Sequence, residues 1–238
     1  MKRRAWIGRS AAAAGPWSEA LARAGWESRV LPLIQRQELE LGPEGRELLR
    51  QVLRFHWAFF ASARGVELFC QQLGECWGAA DSAWPPALKA AAVGPATAFA
   101  LRSAGVEPAL VGEGGGAELA QAFLELGAEV ETPLLVVAAR NGRPELAEGL
   151  RAAGHPVELL ELYESLSSAG PAPPAGEPVL LFSPSGARSL ALRVDDPADH
   201  PVWAVGPTTA AAARRLGFPV SGTLSRPDPT ALHELIPS

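Results

Sequence analysis

The sequence is poor in the residues that most often announce a chemistry. Its 238 positions hold two cysteines, one tyrosine, one methionine and four histidines. Cys70 and Cys76 are too few and wrongly spaced for a zinc site or a redox pair. On a helix they lie near the stripe of Phe69, Leu73 and Trp77, so both are expected to be core thiols. His56, His155, His200 and His233 have no metal-ligand spacing and none stands out as a base, so no metal is expected. Lysine is nearly absent: Lys2 and Lys89 are the exceptions among 21 cationic residues. With 26 acidic residues the net charge is −5, which leaves no basic field to attract nucleic acid. The arginine bias fits carboxylate recognition by a forked guanidinium, and a GC-rich genome produces the same bias. No apolar run approaches the roughly 20 residues of a membrane helix. The start, MKRRAWIGRSAAAAG, imitates a signal peptide, but Arg9 and Ser10 interrupt it too early. A cytoplasmic chain without a membrane partner is expected.

What is present is an ordinary globular composition, 47% hydrophobic and 20% charged. The length permits two domains of about 120 residues, each with a modest core. The chain also contains a twin. AVGPATAFALRSAG (92–105) and AVGPTTAAAARRLG (204–217) share a pattern of apolar strand, Gly-Pro turn, Thr near a helix start, Ala/Arg helix and closing Gly. Aligned from Val93 and Val205 over fourteen positions, they agree at eight without a gap. A strand that runs straight into a helix N-terminus presents free backbone N–H groups, which suit an anion.

Around the twins, strands and helices alternate. Ala5–Gly8 reads as a strand, Trp17–Ala24 as a helix, and Ser28–Ile34 as a strand that continues as Gln35–Leu41. Pro43 opens a helix to about Arg54. Trp57–Ala61, Lys89–Val93, Ala109–Val111, Leu134–Ala139, Val157–Leu162, Val179–Phe182 and Val202–Val205 read as strands. Val66–Trp77, Ala117–Leu126, Pro144–Ala153 and Ala187–Val194 read as helices. Gly78–Pro86 is expected to be a loop, Ser167–Pro178 a linker, and Asp228–Ile236 a final helix.

The repeat is permuted. Arg9-helix-Gly25-strand resembles Arg140-helix-Gly154-strand, while SARG (62–65) then VGPAT resembles SPSG (183–186) then VGPTT. Residues 1–34 therefore belong with 172–238 in one discontinuous α/β domain, and 35–171 form an inserted one. The expected fold is α/β: two similar parallel-sheet domains, a permuted repeat, joined by a two-stranded β hinge with a cleft between them. Ligands of such sheets sit beyond the carboxyl ends of the strands, where the SxxG and VGPxT corners lie.

Each corner has two readings. Gly94, Gly206, Thr97, Thr208 and Thr209 either hold an anion or serve only to turn and cap. Ser62, Ser183 and Ser185 lack the elbow, base and oxyanion hole of a nucleophile. Gly112-x-Gly114-x-x-Ala117 fits a dinucleotide pattern but follows a short, late strand, so a flexible loop is the better reading. Tyr163 follows a strand at a domain crossing, either as a packing residue or as a proton or hydrogen-bond donor.

The order of these corners resembles the uroporphyrinogen-III synthases. The carriers are FFASARGVE (59–67), AVGPATA (92–98), LLVVAAR (134–140), ELYES (161–165), LFSPSGA (181–187), AVGPTTAAA (204–212) and SRPDPTAL (225–232), nearly the whole chain. Departures are Gly8-Arg9-Ser10 where Thr-Arg-Pro is usual, Ala61 where Thr is common, and Leu-Tyr-Glu in place of Val-Tyr-Arg or Val-Tyr-Lys. The resemblance implies cyclisation of hydroxymethylbilane to uroporphyrinogen III, with ring D inverted and water lost, and with no cofactor. It implies binding of that polycarboxylate by Arg9, Ser62, Gly94, Thr97, Arg140, Ser183, Pro184, Ser185, Gly206, Thr208 and Thr209, and assistance from Tyr163. It also implies a monomer in transient contact with hydroxymethylbilane synthase. The alternative is a hinge-closing small-anion binding protein without catalysis.

Overall fold

The computed structural model describes residues 3–77, 84–128 and 131–236. In chain order the elements are β1 (Arg4–Ile7), α1 (Ala11–Arg23), β2 (Glu27–Val30), β3 (Ile34–Glu38), α2 (Pro43–Arg50), a 3-10 turn (Val52–Arg54), β4 (Trp57–Phe60), α3 (Ala63–Trp77), β5 (Lys89–Ala92) and α4 (Pro95–Ser103). They continue with β6 (Leu110–Val111), α5 (Gly116–Glu125), β7 (Leu134–Ala139), α6 (Glu145–Ala152) and β8 (Val157–Ser167). The last are β9 (Val179–Leu181), α7 (Pro184–Ala191), a 3-10 turn (Pro197–Asp199), β10 (Val202–Val205), α8 (Pro207–Arg215), β11 (Val220–Leu224) and a 3-10 turn (Pro229–Glu234).

Two compact units result, with the chain passing between them at Gln35/Arg36 and Ser165/Leu166. The unit built from both chain ends holds a five-stranded sheet in the order β11-β10-β9-β1-β2, with every registered pair parallel. Its inner strands β9 and β10 are buried on both faces, and the period of two sorts their residues. Val179, Leu181, Val202 and Ala204 pack with α7 and α8 residues such as Leu190 and Ala213. Leu180, Trp203 and Val205 face the other way, onto Trp17 and Leu21 of α1 and Leu232 of the last turn.

The inner unit holds a six-stranded sheet in the order β3-β8-β7-β4-β5-β6. The same alternation divides β4: Ala58 and Phe60 join Phe69 and Leu101, from α3 and α4, whereas Trp57 and Phe59 join Phe123 and Leu150, from α5 and α6. Each fully buried aromatic contributes roughly 1.5–3 kcal/mol of transfer free energy. β3 and β8 are neighbours and antiparallel: Leu39 N–H donates to Leu162 O at 3.0 Å, and Ser168 N–H to Leu33 O at 2.9 Å, so one number rises as the other falls.

Several local expectations are corrected. α1 begins at Ala11, not Trp17, because Ala11–Ala14 are strong helix formers and Pro16 is accommodated inside the helix. The long strand from Ser28 divides around Pro32, which has no N–H to give a ladder; β2 pairs with β1 while β3 lies beside β8. α2 stops at Arg50 and a separate 3-10 turn follows. The final helix is a 3-10 turn, started by Pro229 and capped by Asp228, whose side chain accepts from Thr230 N–H. Cys70 is half-buried against the core, and burial pushes its thiol pKa up. Cys76, near the end of α3, is exposed and is not a core thiol. Most of the expected loop Gly78–Pro86 lies outside the described residues. Among the described residues, no helix is long and apolar enough to cross a membrane.

Candidate active site

Parallel strands with helical returns bring these corners to the carboxyl ends of both sheets. In the inner unit they fall on four adjacent strands. Tyr163 lies on β8, Arg140 follows β7, Ser62 follows β4 and Gly94 follows β5.

Ser62 begins the turn into α3. Its Oγ accepts from Gly65 N–H at 3.0 Å, satisfying one first-turn donor. The same Oγ lies 2.7 Å from the Tyr163 hydroxyl. Ser62 already accepts from Gly65, so its own proton can go to Tyr163 Oη, which leaves the phenolic proton to be donated elsewhere. Tyr163 is 6% exposed and packs in the core beside Leu160 and Leu162. Arg140 joins this pair through the backbone, donating its N–H to Tyr163 O at 2.8 Å. Its guanidinium is half-exposed and meets the Glu161 carboxylate at 3.3 Å.

Gly94 caps α4 in fully extended backbone, with Pro95 at the first helical position. A Cβ there would lie 3.1 Å from Gly114 Cα, so the GEGGG loop presses directly on this corner. That contact, after the edge strand β6, accounts for the glycine run better than a dinucleotide fingerprint does.

In the unit of the chain ends, Arg9, Ser183 and Gly206 follow the neighbouring strands β1, β9 and β10. Ser183 caps α7, accepting from Gly186 N–H at 3.1 Å, and its Oγ lies 3.0 Å from Ser185 Oγ. Pro184 occupies the first turn. The Arg9 guanidinium lies 4.4 Å from the centre of the Phe182 ring. Gly206 caps α8 at φ 90°, and its N–H donates to Leu224 O at 2.7 Å.

Not every selected hydroxyl reaches the surface. Thr97 and Thr209, equivalent in the twins, are 3% and 2% exposed and face into their helix packing. Thr208 is the exposed one. The accessible donors at the α8 corner are therefore the Thr208 hydroxyl and first-turn amides, which sit at the positive end of the helix. Asn141 was not selected from the sequence. Arg140-Asn141-Gly142 after a strand signals a turn, but the bonds of the Asn141 side chain to residue 165 carry no local signal. Among the described residues no group of three His, Cys, Asp or Glu converges as a cation site.

Fold and corners together define a two-unit α/β protein that offers hydroxyls, guanidinium groups and helix N-termini at sheet ends, a class suited to anionic ligands. The family model described as Uroporphyrinogen-III synthase HemD matches residues 15–234. The chain belongs to the uroporphyrinogen-III synthase family. Among solved structures it is similar to a mutant uroporphyrinogen III synthase from the extremely thermophilic bacterium Thermus thermophilus, at 17% identity and TM-score 0.68, over 98% of this chain and 96% of that one. The wild-type Thermus thermophilus protein in a second crystal form matches at 18% identity and TM-score 0.54, over 98% and 95% of the two chains. The Helicobacter pylori uroporphyrinogen-III synthetase matches at 18% identity and TM-score 0.63, over 99% and 98%. At these identities the structures speak for the fold.

Proposed function

We propose that the chain converts hydroxymethylbilane to uroporphyrinogen III, a closure in tetrapyrrole biosynthesis with ring D inverted and one water lost. The observation that carries this reading is the Ser62–Tyr163 hydroxyl pair at the carboxyl end of the inner sheet, in a chain matched by the family model from 15 to 234. The same match disfavours the non-catalytic anion-binding alternative.

Tyr163 gives its proton to the departing hydroxyl of the substrate. The C–O bond breaks, its electron pair leaves with oxygen as water, and the pyrrole nitrogen, keeping its own proton, supplies electrons to form an azafulvenium cation (an N-protonated azafulvene) beside the Tyr163 phenolate. The substituted carbon of ring D attacks, and the spiro intermediate fragments and recloses. The proton released by ring D at final closure balances the one spent. Apart from that donor, the enzyme needs to hold a folded bilane against its spontaneous closure without inversion. In the inner unit, Arg140 and the Ala96 amide after Gly94 are donors suited to acetate and propionate groups; in the unit of the chain ends, Arg9, Ser185, Thr208 and the first-turn amides after Gly206 are donors of the same kind. Ser62, Ser183 and Pro184 shape those corners; Thr97, whose N–H is bonded to Gly94 O at 3.1 Å, contributes packing, and Thr209 acts through its backbone N–H and packing.

This makes the protein a hydro-lyase without a cofactor. The reading extends to a cytoplasmic monomer in transient contact with hydroxymethylbilane synthase, a contact favoured by the instability of the substrate. Incubation with fresh hydroxymethylbilane, followed by oxidation and isomer separation, tests the activity. Type III product is expected, and type I product alone overturns the reading.

A further inference from the structure

Tyr163 owes its orientation to an irregularity in β8. β7 and β8 pair residue for residue up to Ala138 opposite Glu161; the next pair is Ala139 opposite Tyr163, so Leu162 is an extra residue. Along a regular strand Leu160 and Leu162 share one face and Tyr163 points to the other. The bulge brings all three into one core cluster and delivers the Tyr163 hydroxyl to Ser62. A slip of one residue would turn it away. Yet β7 ends at Ala139, so no strand remains on that side to hold the segment beyond Tyr163.

Asn141 supplies what the strand no longer does. A turn closed by Gly142 N–H to Ala139 O, 2.9 Å, carries Asn141 back against β8. Its Nδ2 donates to Ser165 O at 2.6 Å, and its Oδ1 accepts from Ser165 N–H at 3.0 Å. One side-chain amide thus makes both bonds that a neighbouring strand residue would make. With Arg140 N–H on Tyr163 O from the same side and Leu39 N–H on Leu162 O from the other, the bulge is held on both edges.

We propose that Asn141 is a positioning residue for Tyr163, extending the β7 edge by its side chain and locking the bulge in the register that presents the phenol to Ser62 and the substrate. The inference rests on the reading of Tyr163 as the donor to the leaving hydroxyl. Asn141 is solvent-exposed, so its bonds exchange readily with water and add little to global stability. Their effect is local order.

Tyr163 is the one tyrosine of the chain, so protein grown on tyrosine labelled only at the ring Cζ gives a single resonance that reports the phenol directly. In Asn141→Ala that resonance is expected to shift or broaden. The kcat for type III product is expected to fall on the order of tenfold, with KM and melting temperature nearly unchanged. Asn141→Asp keeps the acceptor for Ser165 N–H and is expected to lie between parent and Asn141→Ala. In a Tyr163→Phe background, Asn141→Ala is expected to cost no further activity. An unmoved resonance with unchanged kcat overturns the proposal, as does a loss of activity explained by a large fall in melting temperature. If Tyr163→Phe itself turns over normally, the donor reading fails; the resonance alone then decides, a shift supporting placement by Asn141 and an unmoved signal overturning it.

Discussion

The hydroxyls of Ser62 and Tyr163 stand 2.7 Å apart although 101 residues separate them. Ser62 also caps α3 through Gly65 N–H, so the two substitutions are unequal. Ser62→Ala removes a cap and a hydrogen bond and is expected to cost about 0.5–2 kcal/mol. Tyr163→Phe removes only the bond and is expected to cost about 1 kcal/mol. Denaturant unfolding of both variants and of the double variant yields the coupling between them. Both variants should also slow type III formation, with Tyr163→Phe the slower, as read from the isomer ratio of the oxidised products.

The twin glycines respond differently to alanine. Gly206 has φ 90° and ψ 145°, a region nearly closed to other residues, and nothing crowds a Cβ there. Gly206→Ala is expected to lose about 1–3 kcal/mol through backbone strain alone. Gly94 is in extended backbone, and a Cβ would meet Gly114 Cα at 3.1 Å. Gly94→Ala should therefore be relieved by a second change that loosens the GEGGG loop, whereas Gly206→Ala should not. Melting temperatures of the single and combined variants separate the two cases.

Arg193 ties together two segments of the chain. Its Nη2 donates to Pro32 O at 2.5 Å and to Ser168 O, and partial burial pushes its pKa down. Arg193→Met keeps the stem and leaves both carbonyls without this donor. A loss of about 1.5–3 kcal/mol is expected, with faster amide hydrogen exchange at Ser168, whose N–H bonds to Leu33 O.

Asp228 confers a local pH dependence. The Thr230 hydroxyl first, then the Thr230 backbone N–H, hold its carboxyl below its usual range. Because the folded pKa is lowered, its contribution is present above the ordinary carboxylate pKa and disappears as pH falls through the folded value. Exchange protection at Thr230 should drop over that acid window and should not follow it in Asp228→Asn.

Much of this was readable along the chain. Trp57–Phe60 into Ala63, and Val202–Val205 into Pro207, carry apolar runs punctuated by Ser, Gly and Pro, which set strand, turn and helix over a few residues. The family order of corners was readable for the same reason. The Ser62–Tyr163 bond, the β8 bulge and the Asn141–Ser165 splice were not. Each joins groups whose meeting depends on which strands lie side by side, and no local preference encodes that.

The similarity of the twins shows the division most plainly. Sequence by itself determined that Val93-Gly94-Pro95 and Val205-Gly206-Pro207 each turn a buried strand into a helix, because Gly relaxes and Pro restricts the backbone locally. It also determined that Thr97 and Thr209 occupy equivalent positions, and both are buried. Tertiary structure alone decided that Gly94 is extended under Gly114 while Gly206 has a positive φ and bonds to Leu224. The same tripeptide adopts two backbones because a different neighbour, a glycine loop or a strand, closes on each corner.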